Sequence, residues 1–455
     1  MMRLSGKKSL VVGLRRTGVA AARFLANRGA RVTVTDKGDS SSFAQERESL
    51  RGLPVEYALG SHRSEDFISA DLIVVSPGVP LSIPEIAAAR ERGAEVICEL
   101  ELAARFIAVP IVAISGTNGK STVTSLIGEM LKRGGRKTFV GGNIGNPLLN
   151  LVNSNESAEV AVVEVSSFQL EGIESFRPHV AVMLNITPDH LDRYPDMEAY
   201  IEAKARIFLN QNAEDWAVVN GDDEIVLRSL GDVLSRQAHF SIKNPPPSPA
   251  RAWARGSEIM LELSHPDRKT EVVSTVGMKL EGAHNLENAV AAAAAARLVD
   301  VPIEAIEGVL KEFTGLAHRV QFVREVGGAR YYDDSKGTNV GAVEKSLVGF
   351  NSPVVLIAGG LDKGGDFTTL RPLLKERARA LVLMGAARNK MTAQIGDVVP
   401  TESASDMKDA VERARRLARP GDVILLSPAC ASFDMFRSYA HRGDVFQQVV
   451  REITE

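Results

Sequence analysis

The chain has 455 residues, 44% hydrophobic and 24% charged, with a formal net charge of −3, and at ~100–200 residues per domain that length predicts two to four domains. No dense Lys/Arg stripe points to nucleic acid, and two cysteines, Cys98 and Cys430, are too few for a disulfide framework or a cysteine-built zinc site. No stretch nears the ~18 consecutive apolar residues of a membrane span, and Arg15 and Arg16 end the first apolar run too early for a signal peptide, so a cytoplasmic α/β protein is expected.

Residues 10–12 predict the first strand, a helix follows over 20–27, and residues 31–35 make the next strand. Strands at 72–75 and 96–97, with a helix over 84–92 between them, continue the alternation that builds a parallel sheet covered on both faces. The first turn is Gly13-Leu14-Arg15-Arg16-Thr17-Gly18, and Asp36 follows the second strand, which invites a dinucleotide reading. Arg15, however, stands where a glycine lets the backbone close on a pyrophosphate. A nucleotide met by arginines or backbone N–H groups, and a plain tight turn with solvated arginines, are both open.

The pattern starts afresh near residue 109. The apolar run 111–114 leads into Gly116-Thr117-Asn118-Gly119-Lys120-Ser121 and then a helix. Unpaired N–H groups and the dipole of a helix N-terminus favour anions; the glycines let backbone approach phosphate oxygens. Lys120 can reach outer phosphates and Ser121 a magnesium ion, so this order favours a nucleoside triphosphate. The early glycine of the general motif falls on Ile114, and a glycine turn as plain architecture is the alternative. Glu164 ends a strand-like run at 160–165. Buried charges are usually paired or metal-bound, so it reads as a magnesium ligand or as a residue surfacing at a strand terminus. His190 lies in a polar stretch after the strand at 180–184, where a lone histidine is more often structural. Lys204, between Glu202 and Arg206 on a helix over 197–210, reads as a solvated charge. Residues 244–249, with four prolines, form an exposed loop. Asn285 and Asn288 share one face at the start of a helix over 285–298, and capping is the plain explanation.

From about residue 315 the alternation resumes, with strands at 331–332, 354–358, 380–384 and 422–426. Polar loops follow three of them: Asp333-Asp334-Ser335-Lys336-Gly337-Thr338-Asn339, residues 359–366, and residues 427–434. Open parallel sheets bind ligands beyond the carboxyl ends of their strands, so three such loops favour a site.

Together these motifs resemble the Mur ligase family over essentially the whole chain. The carriers are residues 116–122, Gly142-Asn143-Ile144-Gly145, residues 164–170 and 189–194, His284-Asn285, Gly315-Leu316-Ala317-His318-Arg319, and residues 334–339, 362–367 and 427–434. The resemblance implies three consecutive α/β domains. Residues 1–108 would be a Rossmann-like UDP-sugar domain, 109–314 a central P-loop-type ATPase domain, and 315–455 a Rossmann-like domain for the amino acid. The implied activity is ATP-dependent addition of D-glutamate to UDP-N-acetylmuramoyl-L-alanine through an acyl phosphate, in cytoplasmic peptidoglycan precursor synthesis, by a monomer. Thr17, Asp36, Lys37 and Gly78 would line the uridine diphosphate site, and Asn143 would meet the same substrate. Gly116, Thr117, Asn118, Gly119, Lys120, Ser121 and Thr122 would cradle ATP, with Asn285, Asn288, Arg319, Asp334 and Lys336 facing the nucleotide and His318 nearby. Ser121, Glu164 and His190 would hold two magnesium ions. Lys204 matches the family lysine that is carbamylated into a metal-binding carboxylate, which reverses the reading from its neighbours. Thr338, Lys363, Ser432, Phe433 and Tyr439, with Lys336, would shape the D-glutamate pocket. Arg15-Arg16 and Tyr439 depart from the family's usual small residues and phenylalanine.

Three rivals share some of these features. A folylpolyglutamate synthase-like ligase shares the ATP domain but begins near its triphosphate loop. A nicotinamide-dependent oxidoreductase would rest on the Gly13 to Gly18 turn, which lacks its middle glycine. A non-catalytic nucleotide switch would bind ATP and form no amide.

Overall fold

The structure is a computed structural model and describes residues 2–154, 157–263, 269–280 and 282–453. Three sheets follow one another along the chain. The first contains β1 (Lys8–Val12), β2 (Arg31–Asp36), β3 (Val55–Leu59), β4 (Leu72–Val75) and β5 (Glu95–Cys98), all parallel, in the order β3-β2-β1-β4-β5. β4 is a continuous apolar run buried along its length, as a strand covered on both faces must be.

The second sheet holds β6 (Ile111–Ser115), β7 (Thr138–Gly142), β8 (Val160–Glu164), β9 (Val180–Met183), β10 (Trp216–Asn220), β11 (Arg236–Ser241), β12 (Ala250–Arg255), β13 (Glu258–Glu262) and β14 (Glu271–Ser274). Its order is β14-β13-β12-β11-β10-β9-β6-β8-β7, parallel except where β13 and β14 return as antiparallel hairpins. The third sheet runs β15-β16-β20-β17-β18-β19. These are β15 (Gln321–Val326), antiparallel to its neighbour, β16 (Ala329–Asp333), β17 (Val354–Gly359), β18 (Ala378–Met384), β19 (Thr401–Ser403) and β20 (Val423–Leu426). In open parallel sheets the loops after the strands are the places for ligands.

By compactness the chain forms two units. The first comprises Met1–Asn185, Ile201–Val276 and Glu287–Lys311, and holds the first and second sheets. The second comprises Ile186–Tyr200, Gly277–Leu286 and Glu312–Glu455, and holds the third sheet.

Two expectations about helices need correction. The helix foreseen over 197–210 ends as Met197–Ala205 and tightens into a 3₁₀ turn, Arg206–Phe208. There the Arg206 guanidinium donates to the carbonyls of Leu170 and Ile173 at 2.7 and 2.8 Å, holding the turn onto the neighbouring segment. The alanine-rich helix begins at Ala283. Asn285 and Asn288 therefore lie inside it, and capping does not explain them.

Within the first unit, the seam between its two sheets is polar. Glu101 accepts from the backbone N–H groups of Glu174, Ser175 and Phe176 and from the Ser175 hydroxyl. Glu99 accepts from Leu149 N at 2.6 Å, while its buried Oε2 has no hydrogen-bond partner. Burial pushes the Glu99 carboxyl up to about 7 against the pull of the Leu149 N–H. A raised carboxylate pKa gives stability that is full below the ordinary value near 4.5 and is lost as pH rises through about 7. The loss from this one group is about 3 kcal/mol. Thermal unfolding at pH 5 and pH 8 is expected to show a drop for the wild type that Glu99→Gln largely removes. Equal drops in both proteins would take Glu99 out of the account.

Candidate functional site

Where β6 ends, the first unit forms the glycine loop that the sequence offers as a phosphate cradle. Gly116 and Gly119 have φ of 140° and 88°, a region that L side chains avoid. A Cβ on Gly119 would come within 2.4 Å of Asn288 Oδ1, and one on Gly116 within 3.0 Å of Leu184 Cβ, so both positions demand glycine. Gly119 is the N-cap of the helix Lys120–Arg133, which aims its positive end at the loop. Asn185 clamps that loop from the end of β9. Its carbonyl accepts from Thr117 N at 2.8 Å, and its side chain pairs both ways with the backbone of Asn118 at 2.8 and 3.0 Å. The Lys120 ammonium folds over the loop and donates to the carbonyls of Gly116 and Thr117 at 2.9 and 2.8 Å. Ser121 and Thr122 are buried in the first helical turn.

Lys204 overturns the reading drawn from its sequence neighbours. It is 1% exposed, and its ammonium donates to the Gly116 carbonyl at 2.8 Å. Two lysines from two helices thus meet one carbonyl of the glycine loop. Glu202 and Arg206 gave no sign of this, because the inward face of that helix shows no amphipathic contrast.

Glu164 ends β8 directly beside Ile114 of β6, two residues before Gly116. It is 1% exposed, which rules out a residue surfacing at a strand end. Oε1 accepts from Asn143 Nδ2 at 2.7 Å, and the Asn143 N–H donates to the Glu164 carbonyl at 2.8 Å. Oε2 is buried without a hydrogen-bond partner. A carboxylate oxygen shut from water and left bare is costly. A hard cation held by oxygen donors meets that need, so the residues present fit magnesium. Among the described residues no three His, Cys, Asp or Glu side chains converge on one point. A magnesium site made with nucleotide phosphates requires no such cluster.

On the first sheet, Asp36 closes the turn after β1, accepting from Leu14 N at 2.8 Å and from Gly38 N at 2.9 Å. Thr17 lies in the first turn of the helix Arg16–Asn27, and Lys37 and Gly78 follow the ends of β2 and β4. These four are gathered at the carboxyl end of that sheet. Arg15 is exposed, as the solvated reading expects. Its guanidinium lies over the Phe43 ring at 4.7 Å and pairs with Glu46 at 3.1 Å.

In the second unit, His190 has φ 58° and His318 φ 61°, conformations that cost a non-glycine residue energy and are usual at functional sites. Next to His190, Asp189, whose side chain is 8% exposed, pairs with the Lys363 ammonium at 2.5 Å and accepts from Asn339 Nδ2 at 2.9 Å. The Lys363 and His190 charges hold its carboxyl below the usual range despite burial. Lys363 and Thr338 share the wall of a cavity of about 390 Å³ with Asp189, Glu344 and Asp366. Ser432, Phe433 and Tyr439 do not line it. Ser432 is buried in the loop after β20, and Phe433 is 71% exposed. Of the grouping foreseen from sequence, this cavity brings Lys363 and Thr338 together and leaves Ser432, Phe433 and Tyr439 outside its lining.

Tyr439 belongs instead with Lys336 and His318. The Lys336 ammonium stands 3.9 Å from the Tyr439 ring centre, and the His318 ring is 6.3 Å from it. His318 Nδ1 is 2.7 Å from the buried Asp333 carboxylate, which also accepts from Gln447 at 2.8 Å. Asp334 accepts from the Ser427 and Ser346 hydroxyls, and burial pushes its carboxyl up to about 6. Arg319 and Asn285 line a second cavity.

Sequence reasoning missed three residues here: Asn185, Asp189 and Arg442. The first two stood in a polar stretch from which His190 alone was taken. Arg442 is buried and ties three backbone carbonyls and a hydroxyl together, those of Ser335, Cys430 and Ala431 and the Ser335 Oγ. An arginine in a mostly polar helix offers no signal that it turns inward.

Family models match this chain in three consecutive stretches: the Mur ligase MurD-like N-terminal domain at residues 7–98, the Mur ligase middle domain at 114–296, and the Mur ligase glutamate ligase domain at 318–430. The chain belongs to the Mur ligase family. Among its relatives, the UDP-N-acetylmuramoylalanine–D-glutamate ligase of Geobacter metallireducens is 50% identical over 99% of this chain and 99% of its own. The protein of the same name from Geotalea uraniireducens is 49% identical over 100% and 99%. Several solved ligases share the fold. The pseudomurein peptide ligase type C of Methanothermus fervidus has a TM-score of 0.63 at 19% identity, covering 99% of this chain and 100% of its own. The UDP-N-acetylmuramate–alanine ligase of Thermotoga maritima has 0.61 at 19%, covering 98% and 99%. The folylpolyglutamate synthase of Mycobacterium tuberculosis, complexed with ADP, has 0.59 at 16% and covers 78% of this chain and 93% of its own. This Mur ligase thus has three α/β domains built on parallel sheets.

Proposed function

We propose that this Mur ligase joins D-glutamate to UDP-N-acetylmuramoyl-L-alanine with ATP as the energy source, in cytoplasmic peptidoglycan precursor synthesis. The observation that carries the chemistry is the bare, buried Glu164 oxygen beside a glycine loop on which two lysines converge. The choice of substrates rests on near 50% identity, over the full length, to ligases of that name. An amide does not form from a carboxylate and an amine at neutral pH without an activated leaving group. The substrate carboxylate attacks the γ-phosphorus of ATP, the bond to ADP breaks, and an acyl phosphate results. The D-glutamate amine, having lost its proton, attacks the acyl carbon; the amide forms and phosphate leaves.

The protein's part is positioning and neutralisation of charge. Residues 116–122 hold the triphosphate, with Lys120 turning from loop carbonyls to outer phosphates. Asn285, Asn288, Arg319, Asp334, Lys336 and His318 serve the nucleotide. Ser121, Glu164, His190 and a carbamylated Lys204 would hold two magnesium ions, which supply charge stabilisation for the transferring phosphoryl group. Asn143, tied to Glu164 by two hydrogen bonds, faces the UDP-sugar together with Thr17, Asp36, Lys37 and Gly78. The enzyme acts as a monomer, with functional domains spanning 1–108, 109–314 and 315–455.

For D-glutamate the reading assigns Lys363 to one carboxylate, with Ser432 and Thr338 hydrogen-bonding the other, next to Phe433 and Tyr439. Asp189 holds Lys363 in wait. Losing a partner of a desolvated charge pair costs ~3–5 kcal/mol and losing a neutral donor ~1–3. Lys363→Ala is expected to raise the D-glutamate KM about a hundredfold and far more than Ser432→Ala, with the KM values of ATP and the UDP-sugar little changed. Measuring the three constants in both variants tests this. Weakened ATP with untouched D-glutamate would move this loop to the nucleotide site.

A further inference from the structure

Arg442 is a buried charge without a part in the proposed reaction. It stands in the first turn of the helix Tyr439–Arg451, which Ser438 caps. Its guanidinium meets oxygens of two loops at once. Nε donates to Ser335 Oγ at 3.0 Å and Nη2 to the Ser335 carbonyl at 2.9 Å, both in the loop after β16. Nη2 also donates to the Cys430 carbonyl at 3.1 Å, and Nη1 to that of Ala431 at 3.2 Å, in the loop after β20. The loop after β17 joins them through Leu361, which exchanges two backbone hydrogen bonds of 2.9 Å with Ala431. The Ala431 carbonyl therefore accepts from Leu361 and Arg442 together. Ser335 Oγ in turn donates to the Tyr439 carbonyl at 2.8 Å, which ties the network to the start of the helix.

Stability alone does not account for such a residue. Among the described residues no carboxylate pairs with Arg442, and burial pulls its guanidinium down to about 10, so it stays charged at neutral pH. A buried charge that faces neutral oxygens loses its solvation, and apolar side chains often fill such places with equal or better stability. What a guanidinium supplies is direction. Its donors lie in one rigid plane, so the oxygens they meet are fixed relative to one another. Those oxygens lie close in sequence to the side chains assigned to the amino acid. Ser335 stands just before Lys336 and near Thr338, Leu361 lies just before Asp362 and Lys363, and Ala431 precedes Ser432. We propose that Arg442 is a positioning residue for the incoming amino acid, locking the three loops in the arrangement that presents Lys336, Thr338, Lys363 and Ser432 to D-glutamate. This role rests on the D-glutamate pocket proposed above. It leaves the nucleotide contacts alone, because the Ser346 and Ser427 hydroxyls hold Asp334.

Steady-state phosphate release by the full chain tests the role. The KM values of D-glutamate, ATP and the UDP-sugar, with kcat, are measured in wild type, Arg442→Met, Arg442→Lys and Ser335→Ala, and melting temperatures show which variants are folded. A misplacement of ~1 Å can cost about 10²-fold, so Arg442→Met is expected to raise the D-glutamate KM about tenfold or more. Arg442→Lys keeps the charge but not the plane, and Ser335→Ala removes the hydroxyl that Nε meets. Each is expected to raise that KM several-fold. The KM values of ATP and the UDP-sugar are expected to stay within about twofold of wild type. Should Arg442→Met fail to fold, the two milder variants decide by the same split. A wild type whose turnover needs D-glutamate, beside folded variants with an unchanged D-glutamate KM, would overturn the role of Arg442 alone. So would a rise of all three KM values in step, the mark of a merely structural arginine. A wild type that releases no phosphate on addition of D-glutamate would overturn the D-glutamate reading itself, and this role with it.

Discussion

Replacing Lys120 by alanine is expected to lower ATP turnover by at least about 10²–10³-fold, the scale seen when one preorganised donor to a charged transition state is removed. Its ammonium already rests against the Gly116 and Thr117 carbonyls, so it needs only a change of rotamer to meet a phosphate. UDP-sugar affinity should stay within about twofold, because the Asp36 turn belongs to another sheet and its carboxylate is held by Leu14 N and Gly38 N. Phosphate release and UDP-sugar binding, measured on the same preparation, check both halves. A variant that turned over ATP at the wild-type rate would remove the phosphate-cradle assignment.

Lys204→Ala is expected to be nearly inactive and to recover part of its rate when a short carboxylic acid such as acetate is added. The side chain is buried against Gly116, so alanine leaves room near the loop for a small acid to stand in for the proposed carbamate. Loss of packing alone would also lower activity, and a buried large-to-small change costs ~2–5 kcal/mol of stability. Rescue separates the two, since acetate does not refill an aliphatic stem. Full activity without acetate would make Lys204 a structural residue, and inactivity without rescue in a folded variant would count against the carbamate.

The fold was legible wherever burial leaves a simple pattern. The runs at 72–75, 111–114 and 354–358 are strands because a parallel strand covered on both faces is apolar throughout. Strands with mixed patterns were harder. Residues 236–241 mix polar side chains with buried positions, and 138–142 end in two glycines, yet both are strands held by parallel neighbours. The strand, glycine turn and helix at 111–133 could be read directly, because glycines, lysine and a following helix constrain one another locally. Lys204 and Arg442 could not. Their burial depends on where distant segments bring a carbonyl, Gly116 in one case and Cys430 in the other. Asp189 shows the same limit: its partner Lys363 lies 174 residues away.

Spending ATP to attach D-glutamate to UDP-N-acetylmuramoyl-L-alanine is the activity on which the residue roles depend. The direct measurement is phosphate release by the wild-type chain with ATP and magnesium, offering that nucleotide sugar and each amino acid in turn. Phosphate and ADP are expected in equal amounts, with D-glutamate and not with L-glutamate or L-alanine, and none when the UDP-sugar is omitted. Turnover with a different amino acid, or with a pterin-bearing acid in place of the UDP-sugar, would contradict it.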